Sequence, residues 1–374
     1  MIAVLTSGVA LGVHVPGLLL RQRLAEHGVP AAVYVLEAYW EQADRDRLAR
    51  SREVFQRDFR IALATQRLRR RHDELVPAEA RQRVFAAWQA AGVTRFVVLS
   101  GFWLPVVEAY VRETGREVAV DTCHLDSVDS PSFAPYDRRA SGHRAVRLMD
   151  HAAGRLPWTI PVTSRPPVPW AQRGDRVLVH GGGWSLGTYR QAAGRLRAAG
   201  HRVDLVLGGA DAAPPGGVGP DTGPVAGAGP QVRCFRIDPR WNAWDDAGFP
   251  PLCRVGSGAA DGRDGARWLS GDGLTHPSFT LTREARATVS KPGGGSLLDG
   301  LWAATPSVLL EPFGAHEERN AELWLRLGLG VRLETWQDSG HSTELLHDLH
   351  RRALWMRDRI PDYARSLASG PPVP

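Results

Sequence analysis

The sequence predicts an α/β protein made of two doubly wound domains that face each other across a cleft. Three observations carry that expectation. Strand-like and helix-like patterns alternate from the first residues, the order that produces a parallel sheet covered by helices. A proline-rich stretch without periodicity, 164-SRPPVPWAQRGD-175, interrupts the alternation, and the same grammar restarts after it. The chain has 374 residues, more than one hydrophobic core ordinarily serves. The expected boundaries are 1–163 for an N-terminal domain, 164–175 for a linker and 176–340 for a C-terminal domain. Residues 341–374 are expected to form a helix and tail that pack back on the first domain.

The elements follow in order. The apolar run 2-IAVLTSG-8 reads as a buried strand, and 14-HVPGLLLRQRLAEHG-28 keeps helical spacing until Gly28 stops it. A strand at 31-AAVYVLE-37 precedes a long charged helix over 42–74. The segment 77-PAEARQRVFAAWQAAG-92 opens on proline and closes on glycine, as helices do. Strands at 95–100 and 117–121 flank the helical 104–115. Beyond the linker, 176–183 reads as a strand running into a glycine loop, 187–200 as a helix and 202–209 as a strand. A strand at 285–291, a helix from about Ser296, a strand at 306–312 and a helical 341–367 complete the second half. Residues 210–230, rich in glycine and proline, predict a surface loop.

Bulk properties exclude several classes. A net charge of +6, with no basic tail and no interleaved aromatic stripe, argues against nucleic acid. The basic run 67-RLRRRHDE-74 fits a solvated helix face better than a membrane-binding surface. Cys123, Cys234 and Cys253 have neither metal-site spacing nor an even number for pairing. The apolar run Val15–Leu20 ends at Arg21, far too early to span a bilayer, and no export signal is visible, so a cytoplasmic location is expected.

In parallel sheets, ligands sit beyond the carboxyl ends of the strands. The loops to watch are therefore 7-SGVALGVHVPG-17, 121-DTCHLDS-127, 180-HGGGWSLGT-188 and 291-KPGGGS-296. The last contains the only lysine of the chain, Lys291, directly before Pro292 and the glycines Gly293, Gly294 and Gly295. Glycines at a helix start leave peptide N–H groups open to an anion, and the helix dipole favours negative charge there. Ser296 adds a hydroxyl donor, Lys291 an ammonium, and Asp299, one turn on, a carboxylate suited to a ribose diol. The polar cluster 314-GAHEERNA-321 follows the next strand, where a sugar could lie. Gly182, Gly183 and Ser185 of the first loop of this domain are placed beside the same ligand. The pattern is neither a Walker A motif nor a dinucleotide fingerprint.

Residues 291–321 resemble the donor-binding signature of the GT-B glycosyltransferases, which include UDP-sugar-dependent enzymes of secondary metabolism and the MurG type. That signature runs roughly H-x-G-x-x-S-x-x-E, then G-x-P, then D-Q-x-x-N-A. Lys291 stands at the histidine, Gly293 at the glycine, Ser296 at the serine and Asp299 at the glutamate; Ala304 replaces the glycine before Pro306. His316 and Glu317 replace Asp-Gln, followed by Asn320 and Ala321, and Arg319 is the expected partner of Glu317. The opening 8-GVALGVHVPGLLLRQRLAEHG-28 is similar to the family's G-H-x-x-P-x-L-x-L-A-x-x-L.

The resemblance implies two Rossmann-like domains and a metal-independent, inverting transfer of a sugar from a nucleotide-sugar, UDP or TDP, to a small-molecule acceptor. The donor is a substrate, and no cofactor is expected. The family's loop histidine falls at Val13 here, which leaves His14, one residue later, as one candidate base. The other is His124, with Asp121 to orient it. Alternatives stay open. They are glucuronyl transfer to a nucleobase nitrogen in nucleoside-antibiotic synthesis, a nucleotide-sugar 2-epimerase, a MurG-like transfer to a lipid and a non-catalytic partner that keeps the fold.

Overall fold

The computed structural model describes residues 1–9, 11–65, 72–136, 142–208, 231–246, 248–255, 267–269 and 273–370. The chain forms two compact units. The first comprises Met1–Pro161, Asn242–Gly248 and Ile360–Pro374; the second comprises Val162–Trp241 and Phe249–Arg359. The loop expected at 210–230 lies outside the described residues.

The first unit is a five-stranded, all-parallel sheet in the order β2-β1-β3-β4-β5. Its strands are β1 (Ile2–Thr6), β2 (Ala31–Val35), β3 (Arg95–Val98), β4 (Ala119–His124) and β5 (Arg144–Arg147). Helices α1 (Leu11–Glu26), α4 (Ala78–Ala90) and α5 (Leu104–Thr114) form in the positions the periodicity predicts. The core on one face is aromatic: Trp88, Trp103, Tyr110, Phe85 and Phe96 are all buried, with Trp88 and Phe96 ring centroids 4.6 Å apart.

Where one long helix is expected over 42–74, the described residues form two helices, α2 (Gln42–Arg57) and α3 (Phe59–Thr65), and a 3-10 turn from His72. Asp58 between them is extended, and its carboxylate accepts the Arg60 N–H at 2.8 Å, so a cap outcompetes continued helix. The C-terminal helix also divides, into α11 (Thr343–Arg357) and α12 (Tyr363–Ala368). Pro361 cannot continue the first, and Asp362 caps the second by accepting from the Ala364 and Arg365 amides. Helix α12 packs on α1 in the first unit, whereas α11 packs in the second on α8 (Gly294–Ala303).

The second unit carries an eight-stranded sheet, β10-β9-β8-β7-β6-β11-β12-β13. Strands β6 (Arg176–His180), β7 (Arg202–Leu207), β8 (Val232–Ile237), β11 (Ala287–Ser290), β12 (Ser307–Leu309) and β13 (Gly330–Arg332) run parallel. At one edge β9 (Leu252–Val255) pairs antiparallel with β8, and β10 (Arg267–Trp268) pairs antiparallel with β9. The proline-rich stretch is anchored to this unit. The buried Arg173 guanidinium donates to the carbonyls of Arg283, Ala285 and Ala303 and to the Thr305 hydroxyl, and the Trp170 ring lies under Arg286 at 4.5 Å. Burial, and then the neighbouring Arg286 and Arg283, push the Arg173 pKa down to about 10, as expected of a cation held by neutral oxygens.

Candidate functional site

The strand order of the second unit reverses between β6 and β11: the chain winds outward through β7 and β8 on one side and through β12 and β13 on the other. His180 and Ser290 end these two strands in register, so the loops that follow leave the sheet side by side. Such a switch point is where a parallel sheet opens a crevice for a ligand.

The loop after β6 is shaped by glycine. A Cβ on Gly181 would lie 2.6 Å from the Ser185 carbonyl carbon, and Gly182 holds φ +71°, so neither position tolerates a side chain. Ser185, at φ 54°, closes the turn through its amide to the Gly182 carbonyl at 2.9 Å. The Gly182 N–H donates to His180 Nδ1 at 3.1 Å, which places the neutral imidazole's proton on Nε2. Burial lowers the His180 pKa to about 4, with Asp299 opposing that shift and Lys291 and His276 adding to it. The ring is therefore an uncharged donor at ordinary pH.

The loop after β11 leads into α8, whose N-cap, Gly293, has no side chain to cap it. The first helical bond runs from the Leu297 amide to the Gly293 carbonyl at 3.1 Å, which leaves the Gly294, Gly295 and Ser296 amides ahead of the ladder. Lys291 is buried, and its Nζ lies 2.5 Å from Glu317 Oε1. The other oxygen of Glu317 accepts the Phe313 N–H at 2.6 Å, and Asn320 donates to the Pro292 carbonyl at 3.0 Å. Two residues of α9 (Gly314–Arg326) thus hold the lysine loop in place. A Cβ on Gly182 would stand 3.7 Å from Lys291 Nζ and 4.0 Å from Ser296 Oγ; one on Gly293 would stand 4.0 Å from Nζ and 3.3 Å from Glu317 Oε1. The ammonium therefore faces bare backbone at Gly182 and Gly293, and the Ser296 hydroxyl at Gly182. Asp299 accepts from His276 Nε2 at 3.0 Å, and His276 Nδ1 lies 2.7 Å from Ser278 Oγ.

One expectation needs correction here. Arg319 does not pair with Glu317; it is exposed and bonds Glu322 at 2.6 Å, one turn along the same helix, while Glu317 points inward to Lys291. His316 is half-buried at the start of α9, and Gly183 is half-buried in the β6 loop.

Solved structures of the same architecture cover nearly the whole chain. Spinosyn forosaminyltransferase SpnP aligns at 11% identity over 99% of this chain and 98% of its own, with a TM-score of 0.56. The Streptomyces sp. SF2575 glycosyltransferase SsfS6, complexed with thymidine diphosphate, aligns at 11% over 99% and 98%, with 0.52. Spinosyn rhamnosyltransferase SpnG, also complexed with thymidine diphosphate, aligns at 15% over 98% and 99%, with 0.50. The chain has the GT-B fold. No protein-family model matches the sequence, and no curated protein matches it.

In the N-terminal unit of this GT-B chain the candidate bases occupy different settings. His14 is buried on α1, with Nδ1 3.1 Å from Thr6 Oγ1 at the end of β1. Burial first, then Arg21, lowers its pKa to about 4. Asp121 is not paired with His124. The two are three residues apart on β4, so their side chains leave opposite faces of the sheet. Asp121 accepts from Arg95 (2.9 Å), Arg144 (2.6 Å) and the Tyr363 hydroxyl (2.7 Å), a closed structural hub that ties α12 to the sheet. His124 instead lies 3.1 Å from Thr122 Oγ1 and 3.8 Å from Asp129 Oδ1.

Sequence reasoning assigned no role to three residues. Glu37 is fully buried and accepts from Ser7 Oγ at 2.5 Å and the Gly8 N–H at 2.7 Å, fixing the first loop; burial raises its pKa. Its position at a strand end, before no obvious partner, gave no signal. His180 carried a weak one, a histidine closing a strand directly before three glycines, in a loop already expected to lie near the ligand. His276 had none, since Asp299 is 23 residues away.

Proposed function

We propose that this protein is a glycosyltransferase that moves a sugar from a pyrimidine nucleotide-sugar to a small-molecule acceptor bound by its N-terminal unit. The observation that carries the reading is the convergence, at the switch point of the second sheet, of the Lys291 ammonium, the Ser296 hydroxyl and the free amides opening α8, all bordered by glycine. An uncapped helix start beside a cation and a hydroxyl suits a diphosphate. Two structural neighbours, SsfS6 and SpnG, are complexed with thymidine diphosphate, which agrees with that choice of ligand. Asp299, held through one oxygen by His276, offers the other to a ribose hydroxyl.

In this reading the acceptor attacks the anomeric carbon as the bond to the diphosphate breaks, with inversion at that carbon. The amides, Ser296 and Lys291 stabilise the charge that accumulates on the leaving oxygen. His14, neutral at ordinary pH, takes the acceptor's proton.

The low basicity of His14 favours a second reading, glucuronyl transfer to a nucleobase nitrogen. Such an acceptor already carries its lone pair and asks less of a base.

The test is a thermal-shift screen of UDP, TDP and their sugars, followed by mass spectrometry of donor alone and donor with an acceptor panel. Stabilisation by pyrimidine diphosphates and a glycosylated product are expected; no shift with any nucleotide diphosphate would overturn the reading. Nucleotide release from donor alone would mark a 2-epimerase, and binding without turnover a non-catalytic partner.

A further inference from the structure

We propose that Glu317 is a built-in counter-ion that competes with the ligand's diphosphate for Lys291, and so limits how tightly the nucleotide product is held. The inference rests on the nucleotide-diphosphate reading of this site.

Lys291 and Glu317 have side chains only 9% and 6% exposed, at a separation of 2.5 Å. A buried ammonium left alone would be costly, so in the empty site the carboxylate satisfies it. A pair serving packing alone would be walled in by side chains. Here the ammonium is flanked by Gly182 and Gly293, where added Cβ atoms would come within 3.7 Å and 4.0 Å of Nζ. Lysine has three protons to donate, and one bond to Glu317 leaves capacity facing that bare backbone.

The carboxylate is also fixed. Its second oxygen holds the Phe313 amide, and it sits in the first turn of α9, where the helix dipole favours negative charge. It therefore stays beside Lys291 when a ligand enters. An arriving diphosphate meets a cation already half-neutralised by a rigid anion, and repulsion from that anion offsets part of the attraction. For a transferase this matters after the chemistry, when the diphosphate must leave.

Glu317→Gln preserves shape and an acceptor for the Phe313 amide but removes the charge. The ligand-free variant then holds an uncompensated ammonium that a diphosphate relieves. Calorimetry with UDP and TDP should show binding tightened by about tenfold or more. Melting curves should show a lower ligand-free Tm and a larger ligand-induced rise than in the natural protein. Adding Lys291→Met to Glu317→Gln should abolish the gain. Unchanged or weaker binding by folded Glu317→Gln, or equally tight binding by the double variant, would overturn the proposal. Should Glu317→Gln fail to fold, Lys291→His with Glu317→Gln provides a second test: its nucleotide affinity should rise as pH falls through the imidazole range, and a flat profile would overturn the proposal. If neither the natural protein nor any variant binds UDP or TDP, the nucleotide reading itself has failed, a result distinct from binding that Glu317→Gln leaves unaltered.

Discussion

Two buried ionised residues in this chain look alike in sequence and behave differently in the fold. Asp121, in the first unit, is enclosed by Arg95, Arg144 and the Tyr363 hydroxyl, and accepts four hydrogen bonds, one on Oδ1 and three on Oδ2. Lys291, in the second, has one carboxylate partner, the Phe313 ring 5.7 Å from Nζ, and glycine backbone at Gly182 and Gly293. A charge surrounded by several partners holds elements together; a charge with donor capacity left beside bare backbone has something to offer a ligand. Both stood among the candidate site residues because sequence position, directly at or after a strand, could not separate the two cases.

The sharpest way to break the comparison is at the hub. Asp121→Ala removes the acceptor of four hydrogen bonds, from two partly exposed guanidinium groups and a buried phenol, and unfolding in urea should show a loss of about 3–4 kcal/mol. Nucleotide binding by the protein that remains folded should be unaltered; selective loss of binding would put Asp121 in the site.

The next test is Lys291→Met. It removes the cation but leaves Glu317 buried and unpaired, so stability should fall by about 3 kcal/mol and UDP binding should largely disappear. Adding Glu317→Gln should restore most of the stability and none of the binding. Recovery of both would make the pair purely structural.

The pH profile separates the units further. His14 has a folded pKa of about 4 against an ordinary 6.5. Between those values the unfolded chain binds a proton that the folded chain refuses. Its contribution is therefore complete above pH 6.5 and is lost as pH falls toward 4, about 3 kcal/mol in all. Urea unfolding from pH 7 to 4 should show that slope added to the similar one from His180, and His14→Asn should remove about half of the total.

The smallest expected effect is at the ribose end. His276→Ala frees the Asp299 carboxylate to rotate and should weaken UDP by about fivefold, near 1 kcal/mol, while leaving inorganic pyrophosphate affinity unchanged. Equal weakening of both ligands would place His276 in the support of the whole loop.

Much of the fold was legible in the sequence. Glycine stops, proline starts and the period of the apolar residues located β1, α1, α4, α5, β6 and β11, because each depends on a dozen neighbouring residues or fewer. The long helix at 42–74 was misread because Asp58 is an ordinary charged residue until its carboxylate caps the next helix. In the site, the motif positions Lys291, Ser296 and Asp299 were visible through spacing along one loop and one helix. Their partners Glu317, His180 and His276 come from three other elements, and only the register of β6 against β11, the packing of α9 and the reach of His276 to Asp299 bring them in.

By itself, then, the sequence determined the alternation of strands and helices, the glycine loops, and a single lysine at the mouth of one of them. These follow from local backbone sterics and periodicity, which the chain carries wherever it goes. Tertiary structure alone decided that Asp121 and His124 face apart, that Glu317 turns inward to Lys291, and that His180 stays neutral. Charge pairing and desolvation are properties of distance and burial, and those exist only once distant segments have met.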